Sequence, residues 1–129
     1  MNKPNSPKVV YIEDEPEMFA LVELILEDTN IEFISAIGGH EGLRTIREEQ
    51  PDLILLDIMM PDVDGWEVYR NLKADPDLSD IPVIIITAKV KRIDQILAQE
   101  IVGVDAYLTK PFSPKELLQR VKELLSQID

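Results

Sequence analysis

The chain has 129 residues, enough for one domain of ordinary size and too few for two. Its 13 Lys+Arg against 25 Asp+Glu leave a formal net charge of −12, which argues against direct nucleic-acid binding and against anionic membrane surfaces, because both rest on Lys and Arg meeting phosphates. Zero cysteines exclude disulfides, thiolate metal sites, iron–sulfur clusters and cysteine nucleophiles, and a single histidine, His40, excludes multi-histidine metal sites.

Taken in chain order, residues 1–7 are polar, carry two prolines and read as a flexible tail. The apolar run Val9 to Ile12 is cut off at once by Glu13, too short for a signal-peptide core, and no run approaches a membrane span. A soluble cytoplasmic protein is the expectation. Val9–Ile12 reads as a first buried strand. Phe19, Val22, Ile25 and Leu26 share one face of a helix from about Pro16 to Asp28. Ile31–Ile37 is a less uniform strand, placed toward a sheet edge. Leu43 and Ile46 mark a second helix ending before Pro51; His40 opens it and reads as a surface or capping residue. Leu53–Leu56 is a third strand, and Trp66, Tyr69 and Leu72 mark a third helix. Val83–Ile86 follows as a strand, then a helical pattern at Ile93, Ile96 and Leu97, preceded by the basic cluster Lys89, Lys91 and Arg92, which reads as a solvated face. A weaker strand, Ala106–Leu108, leads to the clearest helix. There Ser113 is a good N-cap, Pro114 fits the first turn, Glu116 completes a capping box, and Leu117, Leu118, Val121, Leu124 and Leu125 form the apolar stripe.

Five βα units in succession imply a five-stranded parallel sheet covered by helices on both faces, a doubly wound α/β sandwich with the flavodoxin-like strand order 2-1-3-4-5. Ligands in such folds gather at the carboxyl ends of the strands. Standing just after strands are Glu13, Asp14 and Glu15, then Asp57, then Thr87, then Lys110 joined to Pro111. Singly, each has an ordinary structural reading: an acidic helix start, a loop aspartate, a strand-end threonine, a surface lysine. Together they occupy one edge of one sheet. Carboxylates so gathered repel each other, and either protonation or a hard cation relieves them; an all-oxygen set with open positions suits Mg2+.

The stretches V-V-Y-I-E-D-E-P, D-L-I-L-L-D-I-M-M-P-D-V-D-G, I-P-V-I-I-I-T-A-K and D-A-Y-L-T-K-P-F resemble, in order, spacing and position, the receiver domain of two-component response regulators. The likeness runs from Lys8 to Asp129, so the division is a tail at 1–7 and a receiver domain at 8–129. It implies that Asp57 is the phospho-acceptor. Glu13 and Asp14 match the acidic pair that holds Mg2+ with Asp57, the backbone carbonyl of Met59 completing the protein ligands. Thr87 matches the hydroxyl that bonds a phosphoryl oxygen and Lys110 the lysine that pairs with the phosphoryl group, ahead of a cis bond to Pro111. Tyr107 matches the aromatic switch residue, and Met59 and Lys89 sit where the family tunes acyl-phosphate lifetime. Glu13 stands where many members have Asp, which implies contact with the ion through water.

The same resemblance implies a phosphohistidine donor on a histidine kinase or histidine phosphotransfer protein. It implies a switching surface made of the Ile93–Leu97 helix, the fifth strand and the last helix, acting on a downstream protein target or effector domain and compatible with a phosphorylation-dependent homodimer. Such a protein promotes its own phosphorylation and dephosphorylation without being a turnover enzyme. The residues fit that chemistry: a carboxylate can form an acyl phosphate, with Mg2+ and Lys110 offsetting the phosphoryl charge. A flavodoxin needs a hydroxyl- and glycine-rich loop where Glu13-Asp14-Glu15-Pro16 stands, and a haloacid-dehalogenase-type phosphatase wants Asp where Met59 stands. A receiver-like interaction module that is never phosphorylated is the remaining alternative.

Overall fold

Strand alternation divides the core in two. In a computed structural model that describes residues 6–87 and 106–126, the elements are β1 (Lys8–Glu13), α1 (Pro16–Leu26), β2 (Glu32–Ile37), α2 (Gly38–Glu49), β3 (Leu53–Asp57), α3 (Gly65–Ala74), β4 (Val83–Thr87), β5 (Ala106–Thr109) and α4 (Pro114–Leu125). Residues 1–5 of the expected tail at 1–7, the basic cluster Lys89, Lys91 and Arg92, and the helical pattern at Ile93–Leu97 lie outside the described residues. All strand pairings are parallel, in the order β2-β1-β3-β4-β5. This is the expected doubly wound arrangement, with the less uniform β2 at an edge. Val9, Tyr11, Leu53, Leu55, Ile84 and Ile86 pack against Val22 and Leu26 of α1 and Leu117 and Val121 of α4. Val10, Ile12, Ile54, Leu56 and Ile85 pack against Ile46 of α2 and Val68 and Leu72 of α3. Residues one apart thus serve opposite layers, which is why the central runs are apolar without alternation.

Two helix starts differ in how they are capped. Ser113 Oγ accepts from the Glu116 amide at 3.0 Å and the Ser113 amide donates to Glu116 Oε1 at 3.0 Å, the reciprocal box expected from the local sequence. At α2 the N-cap is Ile37, which has no side-chain acceptor. Asp62 supplies it from the loop after β3, accepting from the amides of Gly39 at 3.2 Å and His40 at 3.4 Å. His40 is exposed, and its main chain rather than its ring joins the cap. A side chain at Gly38 would meet Asp62 Oδ2 at 2.8 Å, and its φ of +82° suits glycine. Helix α1 stops at Leu26, short of the expected Asp28, where the Thr29 amide and hydroxyl both take the Leu26 carbonyl.

Register carries the strand ends to one edge. Ile12 lies beside Leu56, Asp57 beside Ile86, and Thr87 beside Thr109, immediately before Lys110.

Candidate functional site

Three carboxylates and one ammonium meet at that edge. Glu13 closes β1 and is fully buried; Asp57 closes β3 and is 2 % exposed. Lys110 follows β5 and reaches back across the sheet. Its Nζ donates to Glu13 Oε1 at 2.7 Å and lies 3.5 Å from Asp57 Oδ2 and 3.6 Å from Glu15 Oε1. Glu13 Oε1 also accepts from the Tyr11 hydroxyl at 2.7 Å, and Oε2 accepts from the amides of Asp14 at 3.0 Å and Glu15 at 3.3 Å. Asp57 Oδ1 accepts from the Met59 amide at 3.1 Å. One carboxylate oxygen each of Glu13, Asp14 and Asp57 lies within 4.8 Å of the others.

The electrostatics follow from burial and from who donates to whom. Burial raises the pKa of Asp57, and the adjacent Glu13 carboxylate raises it further, against the opposing pull of Lys110 and the Met59 amide. Burial also acts to raise Glu13, but the neighbouring Asp57 carboxyl and the hydrogen bonds from Lys110 and Tyr11 outweigh it and hold Glu13 below the usual carboxylate range. Burial and the neighbouring Glu13 raise Asp14. Burial opposes the charge on Lys110, and its bond to Glu13 with the charge of Asp57 overcomes that and raises it. The site is therefore a negative pocket with one fixed cation, and Asp57 is the carboxylate whose charge is least well compensated.

Glu13, Asp14, Asp57 and Lys110 are brought together as the sequence placed them. Thr87 ends β4 in the same row by its backbone register. Tyr107 is half-buried and packs on the α2–α3 side of the core, against residues such as Ile85. The Lys110–Pro111 bond is cis. Met59 is 62 % exposed, two residues after Asp57. Two residues that matter here stand inside the quoted stretches without an assigned role. Asp62 ties the loop after β3 to α2, a contact 23 residues away that no local pattern announces. Tyr11 lies two residues before Glu13 on one strand, so its polar tip on the same face is a signal the sequence does contain.

The loop from Asp57 to α3 is closed tightly. The Gly65 amide donates to the Ile58 carbonyl at 3.0 Å, and Asp64 caps α3 through the Trp66 amide at 3.0 Å. A Cβ at Gly65 would lie 2.4 Å from Ile58 Cα and 2.7 Å from the Asp57 carbonyl oxygen, both backbone atoms that cannot rotate aside. Gly65→Ala is therefore expected to cost about 3 kcal/mol in urea unfolding, the upper end for overpacking, since the backbone at Asp57 and Ile58 must shift.

The donor set fits a hard cation. It is all oxygen and carries excess negative charge. Four donors already occupy Glu13, whereas Asp14 and Asp57 retain acceptor capacity. Asp14 and Asp57 are thus the better placed for direct contact.

A family model described as the response regulator receiver domain matches residues 9–122. The chain belongs to that family. Among curated relatives of this receiver domain, the alkaline phosphatase synthesis transcriptional regulatory protein PhoP of Bacillus subtilis is 39 % identical over 97 % of the chain and 49 % of its own length. The DNA-binding dual master transcriptional regulator RpaA of Synechocystis is 40 % identical over 95 % and 51 %. The chain spans about half the length of these relatives. Among solved structures, the signal receiver domain of a signal transduction histidine kinase from Syntrophus aciditrophicus superposes with a TM-score of 0.87 at 35 % identity, covering 96 % of this chain and 93 % of that one. Receiver domains of response regulators are signal-transduction modules of two-component systems rather than conventional enzymes. Among the described residues, no helix is long and apolar enough to cross a membrane.

Proposed function

We propose that this receiver domain, residues 8–129 behind a tail at 1–7, accepts a phosphoryl group on Asp57 and passes the signal through its surface. The observation that carries this reading is the placement of Lys110 Nζ between the buried Glu13 and Asp57 carboxylates, which sets a cation beside a nucleophile at the ligand-binding edge of the sheet. An Asp57 oxygen attacks phosphorus, forming the acyl-phosphate O–P bond as the N–P bond of a phosphohistidine breaks. The imidazole nitrogen leaves with the bonding pair and takes a proton from solvent. Hydrolysis reverses the modification: water adds to phosphorus, the O–P bond breaks, and the Asp57 carboxylate returns with inorganic phosphate.

Lys110 offsets the charge of the incoming phosphoryl oxygens in a pocket that otherwise repels them. Asp14, Asp57 and the Met59 carbonyl would hold a magnesium ion, with Glu13 linked to it through water, and the ion would supply the remaining positive charge there. Thr87 donates its hydroxyl to a phosphoryl oxygen, and Tyr107 then takes up the space vacated beside it. The affected surface includes β5 and α4, together with the helical pattern at Ile93–Leu97. The donor is a histidine kinase or phosphotransfer protein, and the output is a protein target or an effector domain. The net charge of −12 supports no direct nucleic-acid contact by this domain itself.

The test is intact mass after incubation with acetyl phosphate and Mg2+. One added phosphoryl group, dependent on Mg2+ and absent in Asp57→Asn, is expected. No adduct on Asp57 would overturn the reading in favour of an interaction module that works without phosphorylation.

A further inference from the structure

The receiver reading gives the buried hydroxyl of Tyr11 no task. Tyr11 is fully buried within the apolar layer under α1 and α4, its ring edge-on to Phe19 at 5.5 Å. Such a position is served equally well by an aliphatic side chain or by Phe, yet its hydroxyl reaches up the strand to Glu13 Oε1 at 2.7 Å. That same oxygen holds Lys110. We infer that Tyr11 is a positioning residue for phosphoryl transfer: its hydroxyl holds Glu13 so that Lys110 can leave for the phosphoryl group. This rests on the receiver function proposed above.

The reason lies in the donors available to Glu13. Before phosphorylation, Glu13 Oε1 shares two donors, Tyr11 and Lys110, while Oε2 is served by two backbone amides. When Lys110 turns to a phosphoryl oxygen, Oε1 keeps the tyrosine hydroxyl and the buried charge stays hydrogen-bonded. Without that hydroxyl, departure of Lys110 leaves Oε1 with no side-chain donor inside the protein, where a poorly satisfied charged acceptor is most costly. Glu13 would then retain Lys110, and the reaction would slow. Tyr11 touches neither Asp57 nor the phosphoryl group in this scheme; it acts through Glu13.

Tyr11→Phe keeps the ring and its contact with Phe19 and removes only the hydroxyl. The rate of phosphorylation by acetyl phosphate at saturating Mg2+ is expected to fall about tenfold, the worth of a hydrogen bond to a charged acceptor. Mg2+ affinity, followed by Trp66 fluorescence, should change less than about twofold, because binding the ion does not require Lys110 to leave. In a Glu13→Gln background the further effect of Tyr11→Phe should shrink to less than about twofold, as coupling through one carboxylate requires. A purely structural tyrosine predicts equal losses in both backgrounds, and that result overturns the inference. So does a wild-type rate in Tyr11→Phe, which would leave the receiver reading standing; a wild type that takes up no phosphoryl group sinks both. A second readout needs no substitution. The Cζ carbon resonance of Tyr11 in the wild-type protein should move on phosphorylation as its hydroxyl becomes the sole side-chain donor to Glu13, and an unmoved resonance overturns the role.

Discussion

Asp57→Asn is expected to raise the thermal midpoint of the protein by roughly 10 °C at pH 8 and to leave it nearly unchanged near pH 4. Burial, with Glu13 beside it, lifts the Asp57 pKa from 3.8 to about 7. A folded pKa above the unfolded one means that the native state binds the proton more tightly. The wild type is therefore at full stability below the unfolded value and loses stability as pH rises through about 7. Asparagine has the same shape and no charge to lose, so its advantage opens across that interval. Each pKa unit is worth about 1.4 kcal/mol, and part of the gain is offset because Lys110 loses one of its carboxylates, which leaves about 2–4 kcal/mol at pH 8. Melts across pH 4–8.5 in a chelator check it. Equal midpoints for both proteins at pH 8 would mean that Asp57 is already compensated. Glu13 has the opposite sign: its depressed pKa contributes stability above its unfolded value that is lost in acid. Added Mg2+ should narrow the gap between the two proteins at pH 8, because an ion bound only to the folded wild type stabilises it by mass action.

Lys110→Ala is the reverse experiment and should destabilise the protein by about 3 kcal/mol at pH 8, because it leaves two buried carboxylates facing each other without their cation. The side chain is only 13 % exposed and contacts Glu13, Asp57 and Glu15. Urea titration measures the loss. Millimolar Mg2+ or a shift to pH 5 should recover most of it, the first by replacing the missing charge and the second by letting Asp57 take a proton. Arg120→Ala is the control: Arg120 pairs with Glu123 at 3.0 Å with both side chains about half exposed, and its loss should cost no more than about 0.5 kcal/mol. If the two substitutions cost the same, Lys110 is a surface charge and the electrostatic account of the pocket fails.

How much of this could be read from the chain alone depends on the range of the interaction. The Ser113–Glu116 capping box is legible because both partners lie within one turn. The strand runs at Val9, Leu53 and Val83 are legible because burial on both faces demands unbroken apolar sequence. Even the candidate site can be read, since a parallel sheet sends every strand end to one edge and so turns positions in sequence into neighbours in space. Asp62 resists such reading. It looks like one more loop aspartate, yet it caps a helix whose own N-cap is Ile37, and only the packing of the β3–α3 loop against α2 brings it there.

The net charge of −12 and the residue types at the strand ends already determine an acidic, oxygen-rich site, because composition and periodicity do not depend on distance. How that acidity is divided is decided only by the tertiary structure. Three carboxylates of similar intrinsic acidity become a low-pKa Glu13, bound by four donors, a raised Asp14 and a high-pKa Asp57, poorly compensated. The difference arises from burial and from the direction in which Tyr11 and Lys110 donate. Tyr11 donates from two residues away on the same strand, but Lys110 reaches Glu13 and Asp57 from 97 and 53 residues away, a placement across strands that no one-dimensional pattern carries.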